Sequence, residues 1–162
     1  SLSIKIILLE LFKSCKYSEN SRDYFGVDIW SYLNNKGSVY NKVDYKNVVL
    51  IITDGYFDFE SKKHVLQFNN RFTSTQFLEQ LNGFDWQTKA MHDDYGLIPV
   101  QLSANVTWII SSIHSKNNLD ILQIKKITYF WKKWLIESGA NNYNFIYNSS
   151  KNEMKSQLLE IL

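Results

Sequence analysis

Cysteine is almost missing from this chain, and its scarcity sets the first limit. Cys15 is the single thiol in 162 residues, so no intramolecular disulfide can form. Its neighbours Lys13, Ser14 and Lys16 include no histidine that would activate it, and it reads as a structural or incidental thiol. Long apolar runs are absent too, and no stretch approaches the length of a membrane span. Ile4 to Leu9 is short, carries Lys5 and leads to no small-residue cleavage site, so it does not read as a signal peptide. A large charge of either sign is lacking. The formal net charge is +2, which gives no global pull toward nucleic acid or anionic lipid. There is no G-x-S-x-G elbow, no cysteine–histidine signature, no D-x-D pair and no glycine-rich phosphate loop. Internal repeats and low-complexity tracts are also absent.

What is present suits one domain with a sizeable core. Apolar residues make up 44% and charged residues 21%, the balance of a soluble globule. Aromatic content is high at 15%, and the five tryptophans are spread along the chain. The simplest reading is a core built with large rings; the sharper one is a sugar or protein contact surface.

Asn47 to Gly55, N-V-V-L-I-I-T-D-G, organises the rest. Five consecutive apolar residues, Val48 to Ile52, end in a turn signal and read as a strand covered on both faces. Gly55 can take a positive φ there. In open α/β sheets ligands collect at the carboxyl ends of strands, which puts Thr53-Asp54-Gly55 where chemistry is expected.

Taken in order, Ser1 to Lys16 has helical spacing, Tyr17 to Asp23 reads as a loop, and Tyr24 to Asn34 as a second helix. Tyr56 to Asn70 reads as a short hairpin or an irregular excursion. Thr73 to Leu81 predicts a short helix with Thr73 and Gln76 at capping-box spacing. Asn82 to Pro99 reads as a long loop of the kind that covers a binding site. Asn105 to Ile113 is a second strand, and Asn118 to Glu137 the longest helix, stopped by Gly139. Its apolar stripe runs from Ile121 and Leu122 to Trp134 and Leu135. Lys125, Lys126, Lys132 and Lys133 form its solvated face or, alternatively, a basic docking surface. Tyr143 to Tyr147 is a third strand, and Ser150 with Glu153 caps a last helix.

The expected class is therefore α/β: a three-layer, doubly wound, mainly parallel sheet with helices on both faces, in a single domain over 1–162. A strand as apolar as Val48 to Ile52 belongs in the sheet's middle, so something must pair with its free side. The candidates are strands outside this sequence, a partner chain in an oligomer, or an unrecognised strand upstream.

Phe25-Gly26-Val27-Asp28-Ile29-Trp30-Ser31-Tyr32-Leu33 followed by Asn47 to Tyr56 resembles the von Willebrand factor type A (vWA) domain, in its divergent bacterial branch. The resemblance covers about Phe25 to Leu162, the C-terminal portion of that fold, and implies a domain short of its N-terminal strands. It also implies a Mg²⁺-dependent adhesion site, in which an oxygen-ligated cation leaves one position for a carboxylate of the partner protein. Carried over, Asp54 matches the T-D-G acid, and Val27 stands where the family has a ligating threonine, with Asp28 beside it as substitute. Ser1 and Ser3 match the tail of the family's D-x-S-x-S loop. The function implied is non-enzymatic protein binding at the C-terminal edge of the sheet.

Two alternatives remain open on the residues. A metal-dependent phosphohydrolase would use Asp54, Asp58 and Glu60, and a metal-free scaffold would use none of them. His92-Asp93-Asp94 lacks zinc-ligand spacing to His64 or His114. Nucleic-acid binding has only the lysines of the long helix in its favour.

Overall fold

A computed structural model of the chain describes residues 28–39, 42–58, 65–117 and 120–162. The helix expected over Ser1 to Lys16, with Ser1 and Ser3 themselves, lies outside the described residues.

The chain is mixed α/β with a parallel three-stranded sheet. Strand β1 (Asn47–Ile52) pairs with β5 (Val106–Ile113), and β5 pairs with β6 (Asn142–Tyr147), so β5 is the middle strand. Among the described residues the middle place thus goes to β5 rather than to the most apolar run. Among the described residues β1 has a strand on one side only; it is half-buried along its length, and Ile52 is 64% exposed. β5 is less apolar than β1, yet it is buried on both faces. Trp108 and Ile110 point one way and Ile109 the other, all without solvent contact.

β5 does not stay regular to its end. Ser112 has φ +72°, and the register with β6 shifts between Ser111 and Ile113. Such a bulge reverses the alternation of side chains past it. Ile113 therefore joins the same core as Trp108 and Ile110, although by simple parity it would face away.

Four α-helices lie among the described residues. α1 (Ile29–Lys36) begins at Asp28, whose Oδ1 accepts from Ser31 N at 2.8 Å. α2 (Trp86–His92) lies in the segment expected to be loop, which also holds the short strand β4 (Gly96–Leu97). α3 (Ile121–Glu137) starts three residues later than expected. Asp120 is its N-cap, and Gly139 at φ +92° ends it. α4 (Lys151–Ile161) is capped by Ser150 as expected and lies against β6, burying no residue fully. It finishes beside the start of β1, where Lys46 Nζ donates to the Leu162 carbonyl.

The segment between β1 and β5 is a folded insertion rather than a loop. β2 (Gln67–Phe68) and β3 (Arg71–Phe72) form a hairpin, and β4 adds parallel to β3. Thr75–Gln80 is a 3₁₀ helix capped by Ser74, whose hydroxyl accepts from Gln76 N; Thr73 instead accepts from Leu66 N. The cap thus sits one residue later than the expected pairing.

The core joins this insertion to α3 and one face of the sheet. Phe57 packs on Trp131 and Trp134, and Phe77 stacks on Phe72 while meeting the edge of Phe130. Trp86, Trp108, Trp131 and Trp134 are buried and Trp30 is half-buried, which favours the core reading of the aromatics. The indoles of Trp30 and Trp134 both donate to the Ile98 carbonyl, at 2.7 and 2.9 Å. Lys126 corrects the solvated-face reading of the lysines, since it is only 4% exposed. Ile121 and Leu122, expected in the buried stripe, are exposed.

A charged buckle closes the insertion onto α3. Arg71 forms paired bonds to Asp94 (Nε–Oδ2 3.0 Å, Nη2–Oδ1 2.6 Å) and to Glu137, and Nη1 also donates to the Leu97 carbonyl. Lys133 donates to Asp94 and to the Tyr95 carbonyl. The hydrogen bond to Glu137 outweighs burial and, with Asp94, holds the Arg71 guanidinium firmly charged. Arg71→Met leaves Glu137 and Asp94 facing each other without their main cation. Equilibrium unfolding should show a loss of about 2–3 kcal/mol.

Candidate functional site

All three strands of the main sheet are parallel, so the loops after β1, β5 and β6 emerge at one edge. The T-D-G turn follows β1. Asp54 Oδ1 accepts from Tyr56 N at 3.0 Å, the local turn that an aspartate forms with its own backbone. Thr53 Oγ1 accepts from Gly55 N, and the Asp54 carbonyl accepts from His114 N in the loop after β5. Gly55 is required twice over. Its φ is +101°, and a Cβ there would lie 2.5 Å from Ile127 Cγ2 of α3. Its carbonyl accepts from the buried Trp131 indole at 2.8 Å.

Beyond the turn, Asp58 gathers a cluster that the sequence reading does not assemble. Its Oδ1 accepts from Thr75 Oγ1 at 2.6 Å and its Oδ2 from Lys116 Nζ at 2.7 Å. Thr75 Oγ1 accepts in turn from Phe57 N. Lys116 Nζ also lies 4.3 Å from the centre of the Tyr56 ring, over its face. Burial lowers the Lys116 pKa. The hydrogen bond and field of Asp58 overcome it, with Tyr56 and Asp54 adding, and hold the ammonium above its ordinary range. Lys116 is thus bonded to one carboxylate, Asp58, and feels the weaker field of Asp54. The signal that would have found it is positional: Lys116 is in the loop after the second strand, at the edge where Asp54 also emerges.

Two clefts of opposite charge open at this edge. The first, about 330 Å³, has Asp58, Glu79 and Asp120 around Lys116, the one cation among its described lining residues. The second, about 840 Å³, runs along α3 past the ends of β5 and β6. Its walls include Ile113, Ile121, Ile124, Tyr129 and Tyr147, with Lys125 and Lys132 as its ionised groups and no carboxylate among the described residues. His114 stands at its rim, and Nδ1 donates to the Ser112 carbonyl of the bulge at 2.8 Å. A carbonyl only accepts, so that nitrogen carries the proton.

Of the metal-site residues expected from the sequence, the described residues include Asp54 and Asp28. Asp54 is at the sheet edge, Asp28 is committed to capping α1, and Ser1 and Ser3 lie outside the described residues. No group of three or more His, Cys, Asp or Glu suited to a metal exists among the described residues. Mg²⁺ needs a near-octahedral set of oxygens, and the described donors do not fit it. His92 pairs with Asp93 at 2.6 Å while Asp94 belongs to the Arg71 buckle, so that acidic run is structural. Glu60 lies outside the described residues.

Gly55→Ala forces both a strained φ and an overlap with Ile127. Chemical denaturation should register a loss of about 2–4 kcal/mol. Lys116→Met should cost less, under about 1 kcal/mol, because the lysine is largely exposed. Its sign with pH is set by the raised pKa. The stabilisation is complete below the unfolded lysine value and is lost as pH climbs through the folded one. Parent and Lys116→Met should thus converge in melting temperature at strongly alkaline pH. Compared with known proteins, the chain matches no family model, no curated protein and no solved structure.

Proposed function

We propose that this chain is a non-enzymatic protein-binding module with the doubly wound, three-layer plan of the vWA domain. It engages another protein at the C-terminal edge of its sheet. The observation that supports the reading is the pairing of two oppositely charged clefts on either side of the start of α3. An edge that is acidic on one side and basic on the other, with Ile121 and Tyr147 exposed beside it, suits a broad and dipolar partner surface.

In this reading the adhesion site is degenerate. Asp54 is the residue through which Mg²⁺ would act, but its Oδ1 already serves the turn, and Lys116 supplies positive charge nearby. The phosphohydrolase alternative needs Asp58 for a cation, and Asp58 is bonded to Thr75 and Lys116 instead.

Immobilised chain should retain a defined set of proteins from a lysate of its source cells. Lys116→Ala should deplete that set and Lys155→Ala, on exposed α4, should not. Equal sets from both variants would reduce the chain to a scaffold. Calorimetric titration with Mg²⁺ and Mn²⁺ should give no saturable heat that Asp54→Ala abolishes. Such a heat would restore a metal-dependent mode of binding, and divalent-dependent turnover of p-nitrophenyl phosphate lost in Asp54→Ala would make the chain an enzyme.

A further inference from the structure

The larger cleft has a regular wall. Ile121, Lys125, Thr128 and Lys132 recur along α3 at intervals of four, three and four, so they share one face of that helix. Lys125 and Lys132 are both exposed, and seven residues of rise set them about 10 Å apart along the axis. Between them the wall is Thr128 and the flanking Tyr129, with Ile124 one turn below. The opposite wall comes from the strand ends, Ile113 and Tyr147, and Thr128 Oγ1 and Tyr147 OH meet across the floor at 3.4 Å. The bulge at Ser112 is what turns Ile113 and His114 into their places here.

Two cations about two helical turns apart, with Thr128 and the Tyr129 ring between them and no carboxylate among the described lining residues, make a charge-specific groove. We propose that this groove seats an amphipathic helix of a partner protein, bearing carboxylates at i and i+7 with apolar side chains at i+3 and i+4. A helix lying along α3 brings those carboxylates to Lys125 and Lys132 and lays its apolar pair on Thr128 and the Tyr129 ring between them. An extended peptide fits less well. On a strand, same-face side chains fall about 7 or 13 Å apart, which brackets the lysine spacing without matching it. The inference rests on the protein-binding reading and names the chemistry of the partner.

The test uses the full chain and fluorescein-labelled helical peptides of about 16 residues, read by fluorescence anisotropy at low salt. One peptide carries glutamate at i and i+7 with leucine at i+3 and i+4. A second has lysines for the glutamates, and a third alanines for the leucines. The first should bind; the other two should bind at least about tenfold more weakly. The double variant Lys125→Glu/Lys132→Glu, on exposed positions that leave the fold intact, should lose the first peptide and gain the second. No binding of the first peptide, or equal binding of all three, overturns the proposal. So does concentration-dependent self-association that the double variant abolishes, which gives the groove to a second copy. Preferential binding to phosphatidylserine vesicles overturns it in favour of a lipid surface. Partner capture that depends on Lys116 without any peptide binding would remove the groove and leave the binding module. Divalent-dependent phosphate-ester turnover beside intact peptide binding would do the reverse.

Discussion

The hydrogen bond from the Trp131 indole to the Gly55 carbonyl is the contact on which this arrangement turns. It is buried, and it fixes the height of the T-D-G turn against the long helix. Ile127, one helical turn earlier, fills the space that any side chain at position 55 would need. The first turn after β1 and the middle of α3 are thus locked in one register. Three polar groups at the sheet edge inherit that register: Asp54 through its own turn, His114 through the Asp54 carbonyl, and Lys116 through Asp58 and Tyr56.

The insertion between β1 and β5 extends the same logic. Its rings fill the outer side of α3, and the Arg71 buckle closes it onto the helix's C-terminal end. The opposite end of α3 is left with exposed Ile121 and Leu122 and opens onto both clefts. One helix is therefore fastened by aromatic packing and charge at its far half and presents its near half to the surroundings. The Asp94 carboxylate shows how strongly the buckle is polarised. The hydrogen bond from Arg71 outweighs burial and, with help from Lys133, holds its pKa below the ordinary carboxylate range.

Much of this was legible in the residues. Val48 to Ile52, Asn105 to Ile113 and Tyr143 to Tyr147 are apolar enough to declare themselves as strands, and Gly139 and Ser150 mark helix boundaries by their own chemistry. What failed did so for identifiable reasons. α2 buries only Trp86 and Ala90, too narrow a stripe to stand out from its polar neighbours. β4 is two residues long and exists only because β3 offers it an edge. Among the described residues β5 is the enclosed strand, and Thr107 and Ser111 do not prevent this. The Lys116–Asp58–Thr75 cluster joins two loops and the start of the 3₁₀ helix, far apart in sequence, which no local pattern encodes.

The pairing of β1 with β5 carries a kinetic consequence. Asn47 sits opposite Val106, so the folded insertion separates two strands that need each other. On a ribosome adding roughly 5–20 residues per second, β1 emerges several seconds before the strand that will cover its inner edge. Through that interval the β2–β3 hairpin, which needs only its own neighbours, can already close. Synthesis thus delivers the middle of the chain first, while the β5-facing edge of the apolar ribbon waits for its partner.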